Sequence, residues 1–311
     1  MLSRLTVIVI FAFINNDDAL KNHEFLVTSV RTGNTEIFRV DPASGDATNL
    51  TRSPRSEDRY PCWSPDGREF AFTSNRDGTY NLYVAKIDGT NVRRLTDLKA
   101  PAVAYMPSWV GDRIVFGRHD ERAEIASIQP DGRDFKILGP GHDPVYSPDG
   151  KRIAFTGEAP GGVTVFIMDA DGANRRQVVK AANSWGAVFP DWSPDGRRIV
   201  YAFKVDEGLE LFVVDADGKS TPRPLTRLGG VSTPAAWSPD GRWISFRHTD
   251  EAYWRNPERV NDVYARKPGD KRPVWVVAAD GTSPHIVECL KYQCAMDGSR
   301  AAWKPLTRLS D

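Results

Sequence analysis

The stretch of this sequence with the most varied chemistry is a long connection, residues 247–272, between two short apolar runs. Within it, residues 248–255 hold a histidine, two carboxylates, two aromatic rings and an arginine, namely His248, Asp250, Glu251, Tyr253, Trp254 and Arg255. Such side chains bind polar ligands or sugars by hydrogen bonds and ring stacking. Connections of about 26 residues are uncommon and tend to be functional or disordered. We expect this stretch to contact a ligand or partner; a structural cover and a catalytic loop are the alternatives.

Three smaller groups could add to the same site. His142 and Asp143 are adjacent, His119 lies in the charged run 118–122, and Trp185 interrupts a repeated pattern. Dispersed histidines and carboxylates could converge on a metal or act as acid and base. No His-x-x-His or comparable ligand pair exists, and surface hydrogen bonding is the simpler interpretation. The sequence thus predicts no metal and no cofactor, and leaves open whether the chain is an enzyme.

Composition excludes several classes of protein. The 311 residues carry 41 Lys and Arg against 41 Asp and Glu, which argues against a nucleic-acid binder because such proteins need clustered positive charge. Three cysteines are too few for a disulfide framework. Whether Cys289 and Cys294 pair is left open, and a cysteine nucleophile would need a paired histidine that the sequence does not identify.

The N-terminus resembles an export signal. Arg4 precedes the apolar run Leu5–Ile14, which a polar stretch follows. Ten apolar residues are too few to cross a bilayer, which takes about 20, but they match a secretory signal core. We expect residues 1–20 to be a removed signal, no transmembrane helix, and a periplasmic or secreted protein. A lipid-inserted anchor, or an ordinary N-terminal segment of a cytoplasmic protein, is the alternative.

An internal repeat must position these residues. Trp63-Ser64-Pro65-Asp66-Gly67 recurs with leading residues Tyr146, Trp192 and Trp237, and in degenerate form from Trp109 and Cys294. Proline at the second position and glycine at the fourth suit a type I turn. Short apolar runs around each copy predict four strands per repeat. Four-stranded sheets bury their faces by stacking, and radial stacking gives a propeller.

The repeats predict an all-β fold, a six-bladed β-propeller of four-stranded antiparallel blades over residues 24–305, with a tail at 306–311. The run Phe25–Ser29 aligns with second strands, so the N- and C-terminal strands must share one blade to close the ring. Gln293–Met296 would supply its innermost strand. The run Arg300–Trp303 also reads as a second strand, which leaves seven candidates for six places.

Four motifs make the resemblance to a family specific. Trp63–Gly67, the run Phe72–Gly78, the run Ile167–Gly172 and the run Arg93–Thr96 resemble repeats of the TolB-type β-propeller family. The resemblance covers residues 24–305 and implies a fold more than a function. It is consistent with a non-catalytic, monomeric binding propeller of the cell envelope with a protein or carbohydrate partner. The alternative is a small hydrolase or polysaccharide lyase with its site at the channel mouth.

Chain topology divides the expected disc into two faces. In an antiparallel meander the Pro-Asp-Gly and Asp-Gly turns share one face, and the irregular loops share the other, where variable loops usually carry function. All the candidate site residues are expected on this irregular-loop face. Asp143, Asp191, Ser108 and Gln293 are expected to line the channel. The recurring Trp63, Trp192 and Trp237 are expected to pack between blades.

Overall fold

The computed structural model describes residues 23–180, 186–205, 208–249, 274–286 and 300–306. Over these residues the chain forms 24 β-strands and no helix. The first sheet has the order β24 (Ala302–Trp303), β1 (Phe25–Ser29), β2 (Glu36–Val40) and β3 (Ala47–Asn49). The second contains β4 (Asp58–Trp63), β5 (Glu69–Ser74), β6 (Asn81–Lys86) and β7 (Arg93–Arg94). The third contains β8 (Val103–Val110), β9 (Arg113–His119), β10 (Ala123–Ile128) and β11 (Lys136–Pro140).

The remaining strands continue the same antiparallel order. The fourth sheet contains β12 (His142–Tyr146), β13 (Arg152–Ala159), β14 (Gly162–Asp169) and β15 (Arg176–Gln177). An eight-stranded sheet follows. Its first half contains β16 (Ala187–Trp192), β17 (Arg198–Val205), β18 (Gly208–Asp215) and β19 (Arg223–Pro224). Its second half contains β20 (Val231–Trp237), β21 (Trp243–Thr249), β22 (Val274–Ala278) and β23 (His285–Ile286). One parallel pair, Leu209 with Val231, joins the halves, which we call the fifth and sixth sheets.

The first sheet settles part of the question about the chain ends. Phe25 and Leu26 of β1 pair with Trp303 and Ala302 of β24. The end of the run Arg300–Trp303 therefore takes the place beside β1 that we expected Gln293–Met296 to fill. The prediction that Arg300–Trp303 forms a second strand is wrong. The run Gln293–Met296 and Cys289 lie outside the described residues, as does the N-terminal stretch 1–20.

The Ser-Pro-Asp-Gly turns have the predicted geometry. In the second sheet the Gly67 amide donates to the Ser64 carbonyl at 3.0 Å, and Gly67 has a φ of 68°. The Ser64 hydroxyl donates to Asp66 at 2.7 Å, and this hydrogen bond is the main reason that the pKa of Asp66 is lowered. Glycines 150, 196 and 241 have φ between 66° and 70° in the equivalent turns. We call the face that carries these turns the turn face.

Six apolar clusters fill the spaces between consecutive sheets, because successive side chains of a strand point to opposite faces. Phe70 packs with Leu26 of the first sheet, whereas its neighbour Ala71 packs with Ile114 of the third. The last cluster contains Val276 of the sixth sheet and Phe25 of the first. The recurring Trp63, Trp192 and Trp237 are 4%, 4% and 5% exposed, which confirms that they pack between sheets.

Polar contacts also join neighbouring sheets at their outer strands. The first residue of a sheet's last strand donates a hydrogen bond to the Asp-Gly turn of the next sheet. Arg93 of β7, for example, donates to the Pro130 carbonyl at 3.1 Å. Arg176 and Arg223 repeat this contact with Ala216 and Asp280 at 2.6 and 2.7 Å. The turns lie so close that a Cβ on Gly89 would be 2.1 Å from the Leu50 carbonyl oxygen. The Asp-Gly turns are therefore inter-sheet contacts as well as hairpin connections.

Candidate functional site

In each sheet from the second to the sixth, a β-bulge or similar irregularity interrupts the regular hydrogen-bond pairing of the first strand. The pairing register shifts at residues 59–62, 105–108, 142–145, 188–191 and 232–235. In four of these breaks a non-glycine residue has a positive φ, and a proline follows it. The residues are Tyr60, Met106, Asp143 and Phe189, with φ between 47° and 55°. Such backbone conformations cost about 1–3 kcal/mol each and cluster at functional sites.

Arg300, three residues before Trp303, reaches from the first sheet to the fifth. Its Nη1 lies 3.3 Å from Asp191 Oδ1, and its Nη2 donates to the Pro190 carbonyl at 2.5 Å. The other Asp191 oxygen accepts the Trp237 amide at 2.8 Å. Burial raises the pKa of Asp191 although Arg300 opposes the rise. Asp191 thus holds the fifth and sixth sheets together and anchors Arg300.

Asp143 and its neighbours form a polar group near Arg300. Asp143 is 8% exposed, and burial raises its pKa, while His142 and Arg300 oppose the rise. The Tyr105 hydroxyl lies 3.3 Å from His142 Nδ1. Burial raises the pKa of Tyr105, and the nearby Asp143 carboxylate and Tyr60 phenol group raise it further. We call Tyr60, Tyr105, His142, Asp143 and Arg300 the axial cluster.

Space for Tyr105 comes from a glycine on the adjacent strand. Tyr105 in β8 pairs with Gly117 in β9, and a Cβ on Gly117 would lie 2.3 Å from the ring. A glycine in a strand interior often marks such a close approach. The local sequence thus gives Tyr105 its place beside His142.

Replacing Asp143 with asparagine is expected to stabilise the protein at neutral pH. Asparagine tolerates the φ of 51° at this position and removes a carboxylate that burial penalises. Because the folded-state pKa is raised, the folded protein binds more protons than the unfolded chain, and wild-type stability falls as pH rises through that pKa. Thermal melts should show the variant about 2–4 °C higher at pH 8 and no difference near pH 4.

A matched control is Asp66→Asn. The pKa of Asp66 is lowered, so its stabilising contribution is present above the unfolded pKa and is lost as pH falls. This exposed variant should therefore be unchanged or slightly less stable at pH 8. A less stable Asp143→Asn protein at pH 8 would mean that favourable partners outweigh the burial of the carboxylate.

The other predicted site residues lie apart from one another. His119 is exposed at the end of β9, next to Arg118, which forms ion pairs with Asp120 and Glu124. His248 Nδ1 lies 3.0 Å from the Ser232 hydroxyl, and its ring meets Trp275 edge to face at 5.4 Å. The structure thus places His142 and Asp143 in the axial cluster, whereas His119 and His248 make separate contacts elsewhere. Several predicted residues lie outside the described part of the chain: Trp185, Asp250, Glu251, Tyr253, Trp254 and Arg255.

The channel-lining residues partly differ from expectation. Asp143 and Asp191 lie within first strands, and both carboxyls are largely buried instead of solvated. Ser108 accepts the Tyr146 amide at 3.1 Å and so joins the third and fourth sheets. The expected Gln293 lies outside the described residues. The side chains of Ser108 and Asp191 thus make contacts between sheets.

Sequence reasoning missed Tyr60, Tyr105 and Arg300. A usable signal was present, because Tyr60, Met106, Asp143 and Phe189 each stand three residues before the repeated aromatic residue and directly before a proline. Arg300 occupies the same place relative to Trp303. Among the described residues, no group of three His, Cys, Asp or Glu side chains could hold a metal ion. The described segments also contain no helix long and apolar enough to span a membrane.

Comparison with known proteins agrees with this architecture. The family model of the TolB beta propeller domain matches residues 21–186 and 140–254. The Tol-Pal system protein TolB of Anaeromyxobacter dehalogenans is 32% identical over 166 residues, which cover 50% of this chain and 37% of that protein. Matches to the first three curated relatives cover between 33% and 50% of their lengths.

Solved structures share the fold at low identity. TolB from Acinetobacter baumannii superposes with a TM-score of 0.71 and 16% identity, covering 91% of this chain and 66% of that one. An oligogalacturonate lyase in complex with manganese superposes with a TM-score of 0.59 and 18% identity, covering 85% and 73%. At these identities the superpositions establish the fold alone. The family model, however, matches most of the sequence, and the chain therefore belongs to the TolB beta propeller domain family.

Proposed function

We propose that residues 24–305 form a closed propeller of six four-stranded blades. The apolar cluster between the sixth and first sheets supports closure, as does the pairing of β24 with β1. Trp303 adds two hydrogen bonds from its indole to the sixth sheet, at 3.2 Å to the Ala236 carbonyl and 2.9 Å to the Ser245 hydroxyl. The first blade then combines both ends of the described chain.

We further propose that the protein is a non-catalytic, monomeric binding protein of the cell envelope. Its partner, a protein or glycan, would contact the irregular-loop face around the axial cluster, together with His248 and residues 250–255. The observation that carries this proposal is Asp143, a buried carboxyl with a raised pKa and a positive φ, beside the Tyr105–His142 contact. Perturbed pKa values and strained backbone both cluster at functional sites.

Family membership supports the location and the class of function. The N-terminal export pattern suits a periplasmic or secreted protein, and one relative is named as a Tol-Pal system protein. On this basis the partner belongs to a Tol-Pal-related envelope assembly. A polysaccharide lyase or small hydrolase is the second candidate, because Asp143 and His142 are an acid–base pair in one cluster and an oligogalacturonate lyase shares the fold.

Binding measurements with matched histidine variants would test this proposal. The chain would be cross-linked in envelope extract of its native host, and the captured partner purified and titrated against each variant. We expect His142→Ala to weaken binding at least tenfold, the size of a central interface contact. His119→Ala, an exposed change away from the cluster, should leave the affinity unchanged. Equal affinity for both variants would remove the axial cluster from the interface, and turnover of oligogalacturonate lost in His142→Ala would favour the lyase.

A further inference from the structure

A cavity opens on the turn face, on the opposite side of the sheets from the irregular loops. It has a volume of about 460 Å³ and lies where the first strands of all six sheets end. One indole ring from each sheet except the fourth lines it, together with the Tyr60 ring, and the fourth sheet contributes a proline. The indoles and the proline are those of Trp63, Trp109, Pro148, Trp192, Trp237 and Trp303. The volume lies within the range of small-ligand sites.

Three of the indole rings that line this cavity have their faces engaged by other groups. Cations cover one face of three rings, with Lys304 at 5.9 Å from Trp63, Arg152 at 4.6 Å from Trp192 and Arg198 at 4.9 Å from Trp237. The same three rings belong to the apolar clusters between sheets and are at most 5% exposed. A flat stacking platform for a sugar is therefore not available on these rings. The positive edge of an indole instead favours the negative π-face of an entering aromatic ring.

Arg300 gives the cavity a polar end with a donor that has no acceptor among the described residues. Its two terminal nitrogens contact Asp191 and the Pro190 carbonyl, whereas its Nε is buried and has no hydrogen-bond partner among the described residues. Because Arg300 and Asp191 offset each other's charge, the cavity does not favour a charged ligand. An uncharged oxygen acceptor, such as a peptide carbonyl, would satisfy the Nε–H group.

We propose that this turn-face cavity binds an uncharged aromatic side chain of an extended peptide from a partner protein. The ring enters between the indole edges, and a backbone carbonyl of the peptide accepts the Arg300 Nε–H bond. Leu306, which is 57% exposed and lines the cavity, adds an apolar contact at the mouth. Tyr60 and Arg300 belong both to the axial cluster and to the lining of this cavity, but the cavity opens on the turn face, and its occupation does not depend on the proposed partner at the irregular loops.

N-acetyl-phenylalaninamide is a suitable probe because it has one ring, two carbonyl oxygens and no charge. Its binding would be followed by the tryptophan emission of the protein, excited where the probe does not absorb. We expect saturable binding with a Kd on the order of 1 mM, typical of a ligand this small. N-acetyl-leucinamide and methyl glucoside should bind at least tenfold more weakly. Absence of saturation at about 50 mM, or tighter binding of the glucoside, would overturn the proposal.

Substitutions inside and outside the cavity test where the probe binds. Ala302 lines the cavity, and Ala302→Leu should fill part of it and weaken binding at least tenfold. Phe135→Ala, at a 44% exposed ring outside the cavity, is the matched control and should bind the probe like wild type. If Ala302→Leu does not fold, Leu306→Arg at the exposed mouth serves instead and should weaken binding at least threefold. Unchanged affinity in whichever of these two variants folds would place the probe elsewhere and refute the site.

Discussion

Replacing Gly89 with alanine is expected to destabilise the protein by about 3–4 kcal/mol, because two costs coincide at this turn. Gly89 has a φ of 84°, which L side chains rarely adopt. Its new Cβ would also lie 2.1 Å from the Leu50 carbonyl oxygen of the neighbouring sheet. That oxygen belongs to backbone, so relief requires the first and second sheets to separate. The transition midpoint in urea, measured with an unchanged slope, reports the loss.

Gly78 provides the matched control within the same sheet. Its φ is 100°, but nothing lies within 4 Å of the position that a Cβ would take. Gly78→Ala should therefore cost only the backbone strain, about 1–2 kcal/mol. Equal losses at the two positions would show that the second sheet moves away from Leu50 without penalty and that the close approach contributes little.

Truncating Trp303 to alanine is expected to cost about 3–5 kcal/mol, the range for a large buried aromatic residue. Trp303 is 7% exposed and packs against Phe25 with ring centroids 4.3 Å apart. Its indole also donates to two acceptors of the sixth sheet, the Ala236 carbonyl and the Ser245 hydroxyl. Urea unfolding would give the loss, and hydrogen exchange would show faster exchange of the β1 amides.

Two further variants separate the contributions. Trp303→Phe retains most of the ring and removes the N–H donor, so it should cost about 1–2 kcal/mol, the penalty of leaving buried acceptors unpaired. Leu306→Ala, three residues further on and exposed, should change stability by less than about 0.5 kcal/mol. A loss below about 1 kcal/mol for Trp303→Ala would mean that β24 does not dock on β1 in solution.

Periodic features of the fold were accessible from the sequence. The positive φ of Gly67 and the burial of Trp63 were predictable because each repeats in an equivalent turn or strand. The partner of β1 was not, because the runs at 293–296 and 300–303 offer similar local patterns. The pairing of β24 with β1 and the packing of Trp303 on Phe25 identify the run at 300–303, and these contacts join opposite ends of the described chain.

The candidate functional site could be predicted from the sequence only in part. His142 and Asp143 stood out because they interrupt the repeat with titratable groups. Tyr60 and Tyr105 did not, since aromatic residues in a strand are typical of a core. Arg300 was missed because its partner, Asp191, lies 109 residues earlier in the chain, in the fifth sheet. The position of Arg300 repeats that of Tyr60, but the identity of its partner in another sheet leaves no periodic trace.

The pairing of β24 with β1 also has a consequence for the order of folding. The sheets from the second to the sixth are each built from consecutive strands, so they can form as the chain is synthesised, whereas the first sheet must wait for Ala302 and Trp303. Until then β1 has an open edge, a template for mispairing with other chains. The earliest of the described strands is therefore among the last to be protected, and slow synthesis of the residues up to Trp303 prolongs its exposure to aggregation.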